Sequence, residues 1–110
     1  MKGREIIRRY ESGDRSFTRS NLKKAKLKGA DLQDADLSFA CLRLADLREA
    51  KLQRATLVGA DLKGADLEEA DLSQANLRGA NLHKAEVSGT QLAQAESLQW
   101  AILPDGSKHE

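Results

Sequence analysis

The stretch ADLKGADLEEADLSQANLRGANL, Ala60 to Leu82, repeats every five residues. Neither regular structure has that period: an α-helix repeats about every 3.6 residues and a strand every two. On a helix, five residues advance a side chain by about 500°, so successive leucines scatter around the circumference and leave no apolar stripe to bury. On a straight strand an odd period sends successive leucines to opposite faces, and half of them meet water unless both faces are covered. A chain that turns a corner once per unit hides them all. Every leucine then points towards one axis, and the alanine two residues earlier also points inward. The Asp or Asn and the last two residues of each unit face water. The interior is narrow, because it accepts only alanine-sized groups beside the leucines. Such a chain is a solenoid, stacked coil on coil by backbone hydrogen bonds.

The pattern extends outward from this stretch to fifteen consecutive units, Ser20 to Gln94. Leucine fills the third position in fourteen of them, from Leu22 to Leu92, and Val87 is the exception. Alanine fills the first position in thirteen, from Ala25 to Ala85, with the small residues Ser20 and Thr90 at the two ends. The units ADLKG, ADLEE, ADLSQ and ANLRG resemble the A(D/N)LXX pattern of pentapeptide-repeat proteins, over about three quarters of the chain. The resemblance implies an all-β fold, a right-handed quadrilateral β-helix with four units per coil. Periodicity alone supports a solenoid; the square section and the hand come with the family.

A further unit centred on Phe17 precedes the run, so sixteen inward residues, Phe17 to Leu92, make about four coils. At ~4.8 Å per coil the stack is roughly 19 Å tall. Each end of such a stack exposes leucines and unpaired edges, and needs a cap. Residues 1–14 are expected to form the N-terminal cap, with Ile6, Ile7 and Tyr10 on one face of a short helix that stops at Gly13. Residues 15–96 are expected to form the β-helix, and residues 97–110 the C-terminal cap and tail. There the pattern slips: Ser97 stands where leucine is due and Leu98 comes one place late. Trp100, Ile102 and Leu103 follow, before the turn signal Pro104-Asp105-Gly106. The flanks RRYESGDRSF and ILPDGSKHE look like those of small bacterial members of the family, which implies a complete chain.

A chain of 110 residues holds one small domain. Lys and Arg number 18 and Asp and Glu 17, a net charge of +1 that by itself points to no partner. No apolar run approaches membrane-spanning length. The start MKGREIIRRYESG lacks the features of a signal peptide, so the expected location is cytoplasmic. Cys41 is the only cysteine, which excludes an internal disulfide.

The search for chemistry is short. Two histidines, His83 and His109, and Cys41 have no metal-site spacing. No nucleophile-elbow, P-loop or dinucleotide-binding motif is present. Gly59, Gly64, Gly79 and Gly89 end their units, where a corner wants a small residue, and they form no phosphate loop. A leucine-filled interior leaves no cavity for a ligand. The expectation is a protein that is not an enzyme, with no catalytic residue, cofactor or metal. Cys41, at an outward position, reads as ordinary surface.

Function must then lie outside. Residues twenty apart should stack on one side of a four-unit coil. One side carries Lys23, Arg43, Lys63 and His83 in a row, flanked by Lys24 and Lys84. The next carries Asp46, Asp66 and Glu86, with Glu49, Glu68 and Glu69 beside them. Like charges on neighbouring strands repel, which marks both rows. Outward apolar residues are few: Phe39, Leu44 and Val58, with Phe39 and Val58 on the same side in successive coils. Charge also varies along the chain: +7 over residues 1–30, −5 over 31–75 and −1 over 76–110.

The candidate partner-binding surface is therefore Lys23, Arg43, Lys63, His83, Phe39 and Val58. It suits a rigid protein-interaction scaffold or regulator with an unknown protein partner, as a monomer or a weak homodimer through an end cap. Nucleic acid is disfavoured, since no exposed aromatic side chains interleave with the basic row. The alternative comes from the family, some of whose members mimic DNA and modulate DNA gyrase and other type II topoisomerases. Those are long, strongly acidic dimeric rods; this chain has a net charge near zero, is short, and lacks their inserted loops.

Overall fold

The computed structural model describes all 110 residues. Its backbone closes on itself every twenty residues. Parallel bridges join Ser16, Asp36, Thr56 and Asn76 in succession, one above the next. A second column runs Asn21, Cys41, Asp61, Asn81, a third Lys26, Asp46, Asp66, Glu86, and a fourth Asp31, Lys51, Asp71. Each coil thus has four sides of five residues, which we number one to four in that order. No side lengthens into a strand; each contributes a single pairing residue before the chain turns.

The corners explain the five-residue unit. The alanine N–H donates to the carbonyl of the leucine three residues earlier, as in Ala30 to Leu27 and Ala60 to Leu57, both at 3.0 Å. The last residue of the unit must then take a left-handed backbone. Eleven non-glycine residues do so, among them Phe39 (φ 60°), Leu44 (φ 59°) and Trp100 (φ 67°). Each such residue costs about 1 kcal/mol, and the ladder hydrogen bonds on both sides of the corner hold it there. The Asp or Asn at the second position has a local task. Its side-chain oxygen accepts the N–H two residues on: Asp66 from Glu68 at 3.1 Å, Asn76 from Arg78 at 3.1 Å, Asn81 from His83 at 3.0 Å. This fixes the entry to each turn.

Inside, Leu22 through Leu82 and Ala25 through Ala85 belong to one cluster of 29 buried residues, and no polar or charged residue is buried. The molecule measures 37 × 23 × 22 Å. The first helix, α1 (Gly3–Glu11), lies across the N-terminal end, with Ile6 fully buried and Ile7 and Tyr10 packed on the core. Gly13 (φ 103°) turns the chain out of it, its N–H donating to the Tyr10 carbonyl. The Met1 amino group and the Tyr10 hydroxyl donate to the carbonyls of Asn21 and Gln33 on the first coil.

The regular run ends sooner than its sequence suggests. Gly89–Ala93 form a second, short helix, α2, so Leu92 reaches the core from a helix and not from a sixteenth side. Ser88 and Gln91 explain this: Ser88 Oγ accepts the Gln91 N–H at 3.1 Å, and the Gln91 side chain accepts the Ser88 N–H at 2.8 Å. That reciprocal cap starts a helix. Gly89 is its first residue and not a corner. The detour takes one extra residue, and the ladder then resumes at a spacing of 21: Ser97 pairs with Asn76, and Ile102 with Asn81. The C-terminal segment closes this end by continuing the coil on sides one and two, with Ala101 buried. An antiparallel pairing of Ile102 with Lys108 finishes the chain. No helix is long and apolar enough to cross a membrane.

Candidate interaction face

Side two and its two corners gather the exposed groups that the core does not explain. Along the middle run Lys23, Arg43, Lys63 and His83. Their alignment follows from the ladder: Lys24 N–H donates to the Arg43 carbonyl at 2.9 Å, Leu44 to Lys63 at 3.1 Å and Gly64 to His83 at 2.9 Å. Arg43 lies 3.6 Å from Asp61. Lys23, Lys24, Lys63 and Lys84 make no ion pair. His83 differs from the lysines in having the turn at Gly106 beside its ring.

The two corners of side two carry Phe39 and Leu44 on the same coil, each 53% exposed. Each folds down over a glycine one coil below, Phe39 on Gly59 and Leu44 on Gly64. Above Phe39 stands the Arg19 guanidinium, 5.0 Å from the ring centroid. Val58 bonds directly to Phe39, its carbonyl accepting the Phe39 N–H at 2.8 Å, and is half-buried. Below Gly79 in the same corner column comes Trp100, 44% exposed, with the Lys108 ammonium 5.9 Å from its ring. Phe39, Leu44 and Trp100 are the molecule's three exposed large hydrophobic side chains, and all three edge this face. Trp100 is the one that the sequence hides. It follows Gly79 by 21 residues, and only the one-residue detour at α2 puts it in register.

Side three shows how an acidic row is held. Arg48 grips Asp46 through two nitrogens at 2.7 and 2.8 Å and reaches to 3.9 Å from Asp66. That hydrogen-bonded guanidinium draws the Asp46 carboxyl from 3.8 down to about 2. A carboxylate with a lowered folded-state pKa contributes stability above its unfolded value, and loses it as pH falls from about 4 through 2. In Arg48→Ala, Asp46 is therefore expected to titrate close to 3.8 when followed by carboxyl NMR. A midpoint left near 2 would mean that Arg48 is not the cause. On side four, Arg54 holds Asp34 one coil above it at 3.0 and 3.1 Å.

No group of three or more His, Cys, Asp and Glu side chains converges on a point that could hold a metal ion. Cys41 lies half-buried on side two between Phe39 and Arg43.

A twenty-residue coil with a leucine and alanine interior, and with all its variation on the outside, defines a pentapeptide-repeat solenoid. The family model for pentapeptide repeats matches eight copies over residues 16–48, 30–68 and 60–96. The chain belongs to that family. Among solved structures, it is similar to HetL, a pentapeptide-repeat protein involved in heterocyst differentiation regulation in the cyanobacterium Nostoc sp. strain PCC 7120. The identity is 42% and the TM-score 0.81, over 86% of this chain and 43% of that one. It is also similar to alr5209, a pentapeptide-repeat protein of Nostoc PCC 7120, at 40% identity and a TM-score of 0.51, over 79% of this chain and 76% of that one. The chain thus spans less than half the length of HetL. A comparison with curated protein sequences returns no match.

Proposed function

We propose that this chain is a non-enzymatic interaction scaffold: a right-handed, four-sided coil of about four turns, capped at its N-terminal end by α1, that offers side two to a protein partner. One observation carries the proposal. The three exposed large hydrophobic residues, Phe39, Leu44 and Trp100, border the same face as the unpaired Lys23 and Lys63. Scattered apolar residues are normal on a surface, but a cluster rimmed by charge marks a contact. Basic groups in the middle steer an acidic partner, and the apolar corners supply the area that is dried on contact. The rigid backbone adds affinity by lowering the ordering cost on this side of the complex. HetL, to which the chain is similar, is involved in heterocyst differentiation regulation, which suits a regulatory scaffold.

The test is a pull-down with the wild type beside a variant carrying Lys23→Glu, Arg43→Glu and Lys63→Glu. The variant is expected to fold normally and to lose the specific partner. Recovery of the same proteins by both would make the basic row ordinary surface.

A further inference from the structure

Where α1 meets the first coil, the side-chain charge is all of one sign. A cavity of about 490 Å³ opens between the first turn of α1 and the first coil's corner from side two to side three. Lys2, Arg4, Lys23, Lys24 and Lys26 line it, and no aspartate or glutamate does. None of the five makes an ion pair. Elsewhere cations are held: Lys28 by Glu49, Arg43 by Asp61, Arg48 by Asp46 and Arg54 by Asp34. Cations drawn around one space repel each other unless an anion enters it. Lys2 and Arg4 also stand at the positive end of the helix dipole, which adds to the cost.

The backbone brings donors to the same place. Gly3 is buried and seated against the Lys26 backbone. The N–H groups of Gly3, Arg4 and Lys26 have no acceptor in the chain. Those of Gly3 and Arg4 belong to the first helical turn, whose donors point out of the helix end. The N-cap is Lys2, whose side chain makes no cap bond and has no acceptor atom to make one. The acid of that turn, Glu5, is not part of the cavity lining. A buried backbone donor is normally paired. Five unpaired cations and three open amides around one space call for an anion with several charges and many oxygens. A chloride or a single carboxylate engages few of them. Linked phosphates carry both over a short length, and accept from ammonium, guanidinium and amide donors together.

We infer that the cavity between α1 and the first coil binds a soluble oligophosphate. Lys23 and Lys24 also belong to side two and its corner, but α1 and Lys26 do not, so this site stands or falls apart from the protein contact proposed there. The probe is sodium tripolyphosphate, titrated into the isotope-labelled whole chain at about 0.15 M salt, where weak surface attraction is screened. Amide NMR shifts are expected to saturate and to centre on Gly3, Arg4 and Lys26. Arg4→Gln with Lys26→Gln is expected to weaken binding by about tenfold or more through lost charge-assisted hydrogen bonds. Lys51→Gln, on side four, is expected to leave it unchanged. Vesicles of phosphatidylcholine with a bisphosphorylated inositol lipid are expected not to sediment the protein. Sedimentation that tripolyphosphate reverses would assign the site to a membrane-borne headgroup and overturn the soluble ligand. Absence of saturable binding would overturn the inference outright. So would shifts as large at Arg43 and Lys63 as at Gly3, or wild-type affinity in the double variant. The shift map needs only the wild type, so the inference stays testable if that variant folds poorly.

Discussion

Leu57→Ala is expected to lower the free energy of unfolding by about 3 kcal/mol, within the usual range for a leucine deleted from a packed core. Leu57 is fully buried in the middle of the stack. Its own N–H donates to the Asn76 carbonyl at 2.7 Å, and its carbonyl accepts the Ala60 N–H at 3.0 Å. The backbone around the lost side chain is thus tied to the coil below and to its own corner. It cannot easily collapse into the space, so the cavity penalty adds to the loss of apolar burial. Val87→Ala makes the contrast. Val87 is half-buried at the edge of the core, and the smaller change there should be under about 1 kcal/mol. Urea unfolding of both variants checks this. A loss below about 1 kcal/mol for Leu57→Ala would mean that the coils close up around a missing leucine, contrary to the rigidity inferred from the ladder.

Two glycine replacements should act in opposite directions although both residues begin a helix. Alanine favours a helix over glycine by about 1 kcal/mol. At Gly89 a Cβ meets nothing within 4 Å and the backbone angle is ordinary, so Gly89→Ala should stabilise by about 0.5–1 kcal/mol. At Gly3 a Cβ would overlap the Lys26 carbonyl oxygen, a backbone atom that cannot swing aside. Gly3→Ala must lift α1 from the first coil or force that coil to shift. Overpacking of this kind costs about 1–3 kcal/mol, which exceeds the gain in helix propensity. Thermal unfolding of the two variants should move in opposite directions. Two shifts of the same sign would contradict the close seating of α1 on the first coil.

Much of this fold was legible because one residue type does one job at each place in the unit. Leucine at every third position and alanine at every first read directly as an interior, and Asp or Asn at the second as turn chemistry. Stacking by twenties then placed Lys23, Arg43, Lys63 and His83 in one row. The remainder was not legible, for reasons of register and of local competition. TQLAQ keeps the spacing of a repeat unit. Ser88 and Gln91 nevertheless cap one another, and that local preference for a helix overrides the pattern. The single inserted residue then shifts everything after it. Trp100 therefore reads as part of a cap, although it lies in the corner column of Phe39. His83 matches the basic row in sequence but meets Gly106 from a segment whose path depends on that same insertion.

The central claim is that side two meets the partner. A photo-crosslinking amino acid placed at Lys63, on side two, and separately at Ser73, on side four, tests it most directly. Both replaced side chains face outward, so neither change should disturb the core. The expected result is a discrete covalent adduct to a partner protein from position 63 and none from position 73. An adduct from position 73 alone, or the same adduct from both, would contradict the claim.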